Sequence, residues 1–295
     1  MSLHIRKKEK IIEVLMMGCS LVTVLTTIGI ILILTVEAVK FFSEVPIGDF
    51  LTDTQWTPLF SDKHFGILPL LAGTLLTTTI AILFAVPLGL MIAVYLNEYA
   101  SPRFTAFVKP ILEVLAAIPT VVYGFFALQF VTPLLQKFIP GLNGFNALSP
   151  GLVMGVMIIP YITSLSEDAL RAVPRSLREA SYGMGATKFQ TAFKVMIPAA
   201  SSGIIVSIIL AVSRALGETM IVAIAAGQEP NLTFNPIESV ETITTYIVQV
   251  SMGDVPHDSL EYKTIFAAGL TLFVFTFILN TISFFVRKRF QNKYE

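Results

Sequence analysis

The chain has 295 residues, of which 54% are hydrophobic and only 14% are charged, and its mean hydropathy is +0.76. A soluble domain carries about 25% charged residues to cover its surface. This composition therefore excludes a pair of ordinary soluble domains, a disordered chain and a basic nucleic-acid-binding surface. The single cysteine, Cys19, excludes an internal disulfide, and 20 basic residues balance 20 acidic ones. We expect the chain to lie mostly in lipid.

Six apolar segments follow one another along the chain, each near the ~20 residues that a helix needs to cross hydrocarbon. They predict an all-α membrane protein with six transmembrane helices. The first segment is too long for a signal peptide, so we expect it to remain as an anchor. The predicted spans cover residues 14–36, 67–96, 107–135, 151–166, 203–227 and 264–286.

Lysine and arginine residues predict the orientation of these spans. If the N-terminal stretch 1–13 is cytoplasmic, 15 of the 20 Lys and Arg residues fall on the inner side, including those of the loop 167–200 and the tail 287–295. Cytoplasmic segments carry such an excess, so both termini are predicted to be cytoplasmic. The loops 37–66 and 228–262 are then external, and 11 of the 20 acidic residues lie on that side.

Two charged residues fall inside the fifth predicted span. Arg214 and Glu218 are four residues apart, so a continuous helix would place them on one face, on the same stripe as Ser207. Each charge costs about 2.5–3.5 kcal/mol near the bilayer centre, so neither should face lipid. One interpretation is a self-satisfied pair that locks helix packing. The other is a translocation path, with Thr219 beside it, in which the arginine fork matches the oxygens of an anion.

A third charged residue, the carboxylate Glu113, lies near the cytoplasmic end of the third predicted span. Lys109 is four residues before it, and we expect the two to pair at the membrane surface. A place for Glu113 on the path is the alternative.

The basic loop 167–200 predicts two short helices. Pro174 suits the first turn of one helix, which Gly183 and Gly185 end. Thr187 and Gln190 have the spacing of a capping box that starts the second, and Pro198 limits it. The glycines lack the spacing of a phosphate-binding loop, so any nucleotide hydrolysis is expected from another chain. From these residues alone, a docking element and a loop that only fixes topology are equally supported.

The same loop resembles the EAA signature of ABC-importer permeases, which reads E-A-A-x-x-x-G, nine residues, then I-x-L-P. The matching residues are Glu179, Ala180, Ser181, Gly185, Val195, Ile197 and Pro198, with small departures at the second Ala and in the final motif. The resemblance implies the type I (MetI-like) permease fold, with spans two to six as the permease domain. It also implies coupling helices that dock on an ATPase subunit, through Glu179, Ala180, Gly185, Thr187, Gln190 and Pro198.

Further runs narrow this resemblance to the membrane subunits of phosphate (Pst) importers, and most of all to their C-type subunits. These runs lie at residues 65–74, 95–102, 118–124 and 214–219, and the last reads Arg-Ala-Leu-Gly-Glu-Thr. The resemblance implies a substrate pathway at Arg214, Glu218, Ser207 and Thr219, and no cofactor. It implies a bacterial plasma membrane location, a homologous A-type permease partner, two ATPase subunits and an external phosphate-binding protein.

Three alternatives stay open at this point. The first is a permease of the same architecture for another oxyanion, such as sulfate or molybdate, although the 214–219 run argues against it. A transporter driven by an ion gradient would not need the EAA loop. An intramembrane enzyme would need a constellation of His, Cys or Asp, which the predicted spans lack.

Overall fold

A computed structural model describes residues 3–291 of the chain, with side chains placed for residues 9–285. Residues 1–2 of the predicted N-terminal stretch and residues 292–295 of the predicted tail lie outside the described residues. The side chains of several basic residues counted for the orientation also lie outside them, namely Arg6, Lys7, Lys8, Arg287, Lys288, Arg289 and Lys293.

The described chain is built from helices and connecting loops, as the all-α prediction requires. Four of the described helices are each long and apolar enough to cross a membrane, namely Glu9–Glu44, Leu68–Glu98, Leu148–Arg171 and Leu260–Phe285. The helices are α1 (Leu3–Glu44), α2 (Ile47–Thr52), α3 (Leu68–Glu98), α4 (Pro102–Ala117), α5 (Thr120–Gln136), α6 (Leu148–Arg171), α7 (Arg175–Gly183), α8 (Lys188–Ala199), α9 (Ser201–Leu216), α10 (Met220–Ala225), α11 (Ile243–Met252) and α12 (Leu260–Gln291).

Two pairs of consecutive helices are sharply bent. The axes of α4 and α5 differ by 88°, and those of α8 and α9 by 72°. If each bent pair is one span, residues 3–291 contain six spans. The first bend falls in the predicted span 107–135, at the Pro119 that interrupts it in the sequence. Pro119 explains it, because proline has no N–H to donate and disfavours the helical conformation of the preceding residue, so that Ile118 is extended.

Helices α3 and α6 pack along most of their length and form the centre of the bundle. They approach closely because Gly155 lacks a side chain: a Cβ there would meet Phe84 Cδ1 at 2.9 Å and the carbonyl oxygen of Ala81 at 3.0 Å. Thr163 Oγ1 also donates to the carbonyl oxygen of Gly89 at 3.2 Å. Small residues and interhelical hydrogen bonds of this kind are what hold helices together in lipid.

The predicted external loops are folded against each other. Trp56 is fully buried, and its ring lies 5.0 Å from that of Tyr246, edge to face. Phe41 at the end of α1 and Phe50 of α2 join the same cluster. This aromatic cluster caps the end of the bundle at which α3 begins.

Candidate translocation site and coupling surface

The Arg214–Glu218 pair lies at a break between two helices. Helix α9 ends at Leu216 and α10 begins at Met220, so Glu218 is outside both. The prediction of one continuous helix through Glu218 is wrong here, because Gly217 is a weak helix former and ends α9. The pairing itself is correct: Arg214 Nη1 lies 3.0 Å from Glu218 Oε2.

The two partners differ in exposure. The Glu218 side chain is 2% exposed, whereas that of Arg214 is 39% exposed. Glu218 Oε1 also accepts a hydrogen bond from Ile221 N at 3.4 Å, and its backbone carbonyl accepts one from Thr244 Oγ1 at 2.8 Å. The carboxylate is therefore fixed, and it holds one edge of a guanidinium that has five donors in all.

The other two predicted path residues occupy different environments. Thr219 is partly exposed and belongs to the same break, with Oγ1 3.4 Å from the carbonyl oxygen of Gly217. Ser207 is fully buried, and its Oγ lies 2.8 Å from Ser166 Oγ of α6. In this conformation Ser207 is a contact between α9 and α6, and only Thr219 joins Arg214 and Glu218 at the break.

A second charged cluster was not expected from the sequence. Glu167 is fully buried near the end of α6, where Lys109 Nζ lies 2.5 Å from its Oε2 and Arg171 pairs with its Oε1. The predicted Lys109–Glu113 pair is wrong, because α4 directs Lys109 towards α6 while Glu113 stays exposed. The helical spacing of Glu167 and Arg171 was the signal available in the sequence.

This charged cluster lines a cavity of about 400 Å³ between α3, α4 and α6. Lys109, Glu113, Thr163 and Glu167 provide its polar lining, and Leu96 and Pro160 are among its apolar residues. The cavity is at the end of the bundle opposite the aromatic cluster, on the side of the basic loop.

The basic loop forms the two predicted short helices, α7 and α8. The capping box is confirmed: Thr187 Oγ1 accepts from Gln190 N at 3.3 Å, and Gln190 Oε1 accepts from Thr187 N at 2.9 Å. Gly185 has a φ of +81°, which favours glycine, and it turns the chain between the helices. Pro174 precedes α7 as its N-cap instead of lying in its first turn.

Several large apolar side chains of these helices and of the turn between them are exposed among polar ones. Glu179 and Ala180 are exposed on α7, and Pro198 is partly buried near the end of α8. The rings of Phe189 and Phe193 are in contact, with centroids 4.5 Å apart, and exposed apolar side chains outside the predicted spans are candidates for contact with a partner. We call the exposed apolar side chains the coupling patch; they are Leu177, Tyr182, Met184, Phe189 and Phe193.

Comparison with known proteins places the chain in a family. The family model described as "Binding-protein-dependent transport system inner membrane component" matches residues 85–295. The chain belongs to this family. It is a permease, and its helices are those of a multi-pass membrane protein.

Related permeases cover most of the chain. It is 35% identical over 263 residues to the "Probable ABC transporter permease protein YqgH" of Bacillus subtilis, covering 88% of this chain and 85% of that protein. It is 34% identical over 269 residues to the "Phosphate transport system permease protein PstC" of Haemophilus influenzae, covering 84% and 82%.

A solved bacterial ABC transporter involved in import of the polysaccharide alginate has the same fold. One of its chains superposes with a TM-score of 0.65 at 17% identity, covering 96% of this chain and 99% of that one. A chain of a methionine ABC transporter also matches, with a TM-score of 0.55 over 76% of this chain and 94% of that one. These two matches confirm the predicted MetI-like permease fold.

Proposed function

We propose that this chain is the membrane-spanning permease subunit of an ATP-driven importer of inorganic phosphate. The observation that carries the proposal is the half-exposed guanidinium of Arg214, held by the buried carboxylate of Glu218 at a helix break. The relatives named as phosphate transport permeases support the choice of substrate.

Arg214 supplies the chemistry for an anion. A guanidinium binds phosphate through parallel N–H···O bonds from its planar fork, and it stays charged at any physiological pH. Glu218 neutralises part of this charge and so weakens the binding of phosphate to Arg214. Phosphate is then released along the path and is not trapped. Thr219 adds a hydroxyl at the same break, while Ser207 reaches the path only if α6 and α9 separate during transport.

The coupling patch and the residues around it dock on the ATPase. Glu179, Ala180, Gly185, Thr187 and Gln190 lie on α7, α8 and the turn between them, all exposed, and Pro198 follows near the end of α8. ATP hydrolysis takes place on that partner, and this chain catalyses no covalent reaction. The two permease chains, this one and an A-type homologue, then rock between two conformations when two ATPase subunits close.

The orientation follows from the charges. The basic loop faces the cytoplasm of a bacterium, both termini are cytoplasmic, and the acidic loops face outward. An acidic outer surface repels free phosphate, which favours delivery by a docked phosphate-binding protein over direct capture.

Purification of the intact complex from membranes tests this function. We expect an A-type permease and ATPase subunits to co-purify, and we expect phosphate-loaded binding protein to stimulate ATP hydrolysis in proteoliposomes. Uptake of labelled phosphate should resist competition by sulfate and molybdate. Equal competition by either anion would assign the chain to another oxyanion, and uptake without ATP would assign it to a gradient-driven transporter.

A further inference from the structure

One ion pair joins the loop that carries the coupling patch to the longest helix of the bundle centre. Arg178 of α7 places Nη2 2.7 Å from Glu98 Oε1, at the last residue of α3. The Glu98 side chain is 2% exposed and that of Arg178 is 30% exposed. Asn97 Nδ2 also donates to Glu98 Oε1 at 2.7 Å, which fixes the carboxylate. Charge-assisted hydrogen bonds of this kind are short, strong and directional.

Helix α7 has few other attachments to the bundle. It has no buried residue of its own, and Ser181 Oγ lies 2.9 Å from Thr191 Oγ1 of α8. Helix α8 packs on the same end of α3, where its Ala192 and Met196 contact an apolar cluster. This apolar contact is not directional, so the Glu98–Arg178 pair is what relates the position of α7 to the axis of α3.

Helix α3 continues from this ion pair to the helix break. Thr74, near its other end, accepts a hydrogen bond from Ile243 N at 3.1 Å. The neighbouring Thr244 donates to the carbonyl oxygen of Glu218. Thr74 and Glu98 are separated by about 36 Å at the helical rise per residue. Pro87 lies within this stretch, where packing against α6 supports the helix.

We propose that the Glu98–Arg178 ion pair is a mechanical link, here called the strut, that transmits movement of the ATPase-facing helix α7 to α3. Helix α3 then transmits this movement to the Arg214–Glu218 site. The proposal rests on the proposed function and names positioning residues within it. Two distant sites are coupled when an element between them has two arrangements and when each site favours one of these arrangements over the other.

Arg178 has the features of such an element. Its Nε is buried and has no hydrogen-bond partner among residues 9–285. A buried donor without a partner is costly, and an arginine can satisfy two donors at once on a single carboxylate. A shift of α7 relative to α3 converts the present single contact into the two-pronged one, so the pair stabilises a second position of the loop.

Neutral variants in the assembled complex test the strut. The variants are Arg178→Gln and Glu98→Gln, with Arg178→Lys to keep the charge and Arg103→Gln as a control. Arg103 is an exposed arginine at the start of α4, outside the loop. The complexes are reconstituted with the ATPase subunits, and hydrolysis is measured with and without phosphate-loaded binding protein, together with phosphate transported per ATP.

Both glutamine variants should retain the ATPase subunits and basal hydrolysis, since the apolar contact of α8 remains. Their stimulation by binding protein should fall about fivefold or more, the size of a typical coupling between sites. Arg178→Lys should keep most of the stimulation, and Arg103→Gln should match the wild type.

Two results would overturn the strut alone. The first is that the glutamine variants keep wild-type stimulation and wild-type phosphate transported per ATP. The second is that they lose the ATPase subunits, which would make the ion pair a purely structural contact. If phosphate-loaded binding protein fails to stimulate even the wild-type complex, the proposed phosphate function is wrong, and the strut with it.

Discussion

Thr244 Oγ1 donates a hydrogen bond of 2.8 Å to the backbone carbonyl oxygen of Glu218. An interrupted helix leaves carbonyl groups without their usual intrahelical donors, and a buried one needs another partner. Thr244 supplies it from the first turn of α11. The guanidinium of Arg214 therefore lies beside a helix break whose backbone is held in place. Because this geometry is fixed, substitutions at the site should have well-defined effects.

Replacing Arg214 should strongly lower the rate of phosphate uptake. Arg214→Ala removes a charged hydrogen-bonding group, which is worth about 1.5–3 kcal/mol, so uptake should fall by about tenfold to a hundredfold. Arg214→Lys keeps the charge without the fork and should give an intermediate rate. Labelled phosphate uptake by proteoliposomes measures both, with co-purified ATPase as the control for assembly. Wild-type uptake by a fully assembled Arg214→Ala complex would contradict the assignment.

Replacing Glu218 should change binding and turnover in the same direction. Glu218→Gln keeps the shape and an acceptor for Ile221 N, but it no longer neutralises the half-exposed Arg214. Phosphate should bind more tightly and leave more slowly, so both KM and kcat should fall about fivefold, which corresponds to about 1 kcal/mol. A variant with unchanged KM would show that Glu218 only stabilises packing.

The buried carboxylate of Glu167 should make the loss of Lys109 costly. Lys109→Met removes one of its two cationic partners and should destabilise the chain by about 1–3 kcal/mol, because a buried charge is left partly compensated. The double variant Lys109→Met, Glu167→Gln removes that charge as well, and it should recover part of the loss. Thermal unfolding of the purified chain in detergent measures both; a double variant less stable than Lys109→Met would refute this.

The contact between α3 and α6 should not tolerate a side chain at Gly155. Gly155→Val introduces a Cβ within 3.0 Å of the Ala81 carbonyl oxygen, and overpacking of this kind costs about 1–3 kcal/mol. Gly29 of α1 has no atom within 4 Å of the corresponding Cβ position, so Gly29→Val is the matched control. Unfolding in detergent should separate the two variants, and equal stability would mean that the helices do not approach as described.

The stability of the region around the aromatic cluster should depend on pH through Glu241. Burial raises the pKa of this carboxyl from 4.5 to about 8, and the side chain lies near Tyr246. The folded chain therefore keeps a proton that the unfolded chain releases, so this stability is fully present below about pH 4.5 and is lost as pH rises through about 8. Glu241→Gln avoids that loss.

The Tm difference between Glu241→Gln and the wild type should accordingly be more positive at pH 9 than at pH 5. The exposed Glu229→Gln makes the same change of charge and serves as the control. A difference in Tm that does not vary with pH would show that Glu241 is ionised in the folded chain.

Local signals in the sequence predicted local structure well. The capping box at Thr187 and Gln190 forms as expected, because both of its hydrogen bonds close within four residues. The apolar segments likewise identified the long helices, since the hydropathy of each segment is a local property of the sequence. The pairing of Arg214 with Glu218 was likewise predicted from a local spacing, although a spacing of four residues could not reveal the break at Gly217.

The spacing of residues along the chain could not predict contacts between different helices. Lys109 has a carboxylate one helical turn away at Glu113, yet it pairs with Glu167 on another helix. The choice depends on how α4 crosses α6 after the bend at Pro119, and nothing in the segment 107–135 encodes the position of α6. The Glu98–Arg178 pair is hidden in the same way, since 80 positions separate its partners along the chain.

The glycine-mediated contact of α3 with α6 also bears on how the chain is made. Helix α3 is complete at Glu98, whereas α6, which packs against its Thr77 and Gly89, ends only at Arg171. During synthesis the small and hydroxyl-bearing face of α3 must therefore wait in the membrane, beside lipid or an insertion factor, until α6 arrives. A ribosome stalled between these points therefore leaves this face of α3 without its helix partner in the bilayer.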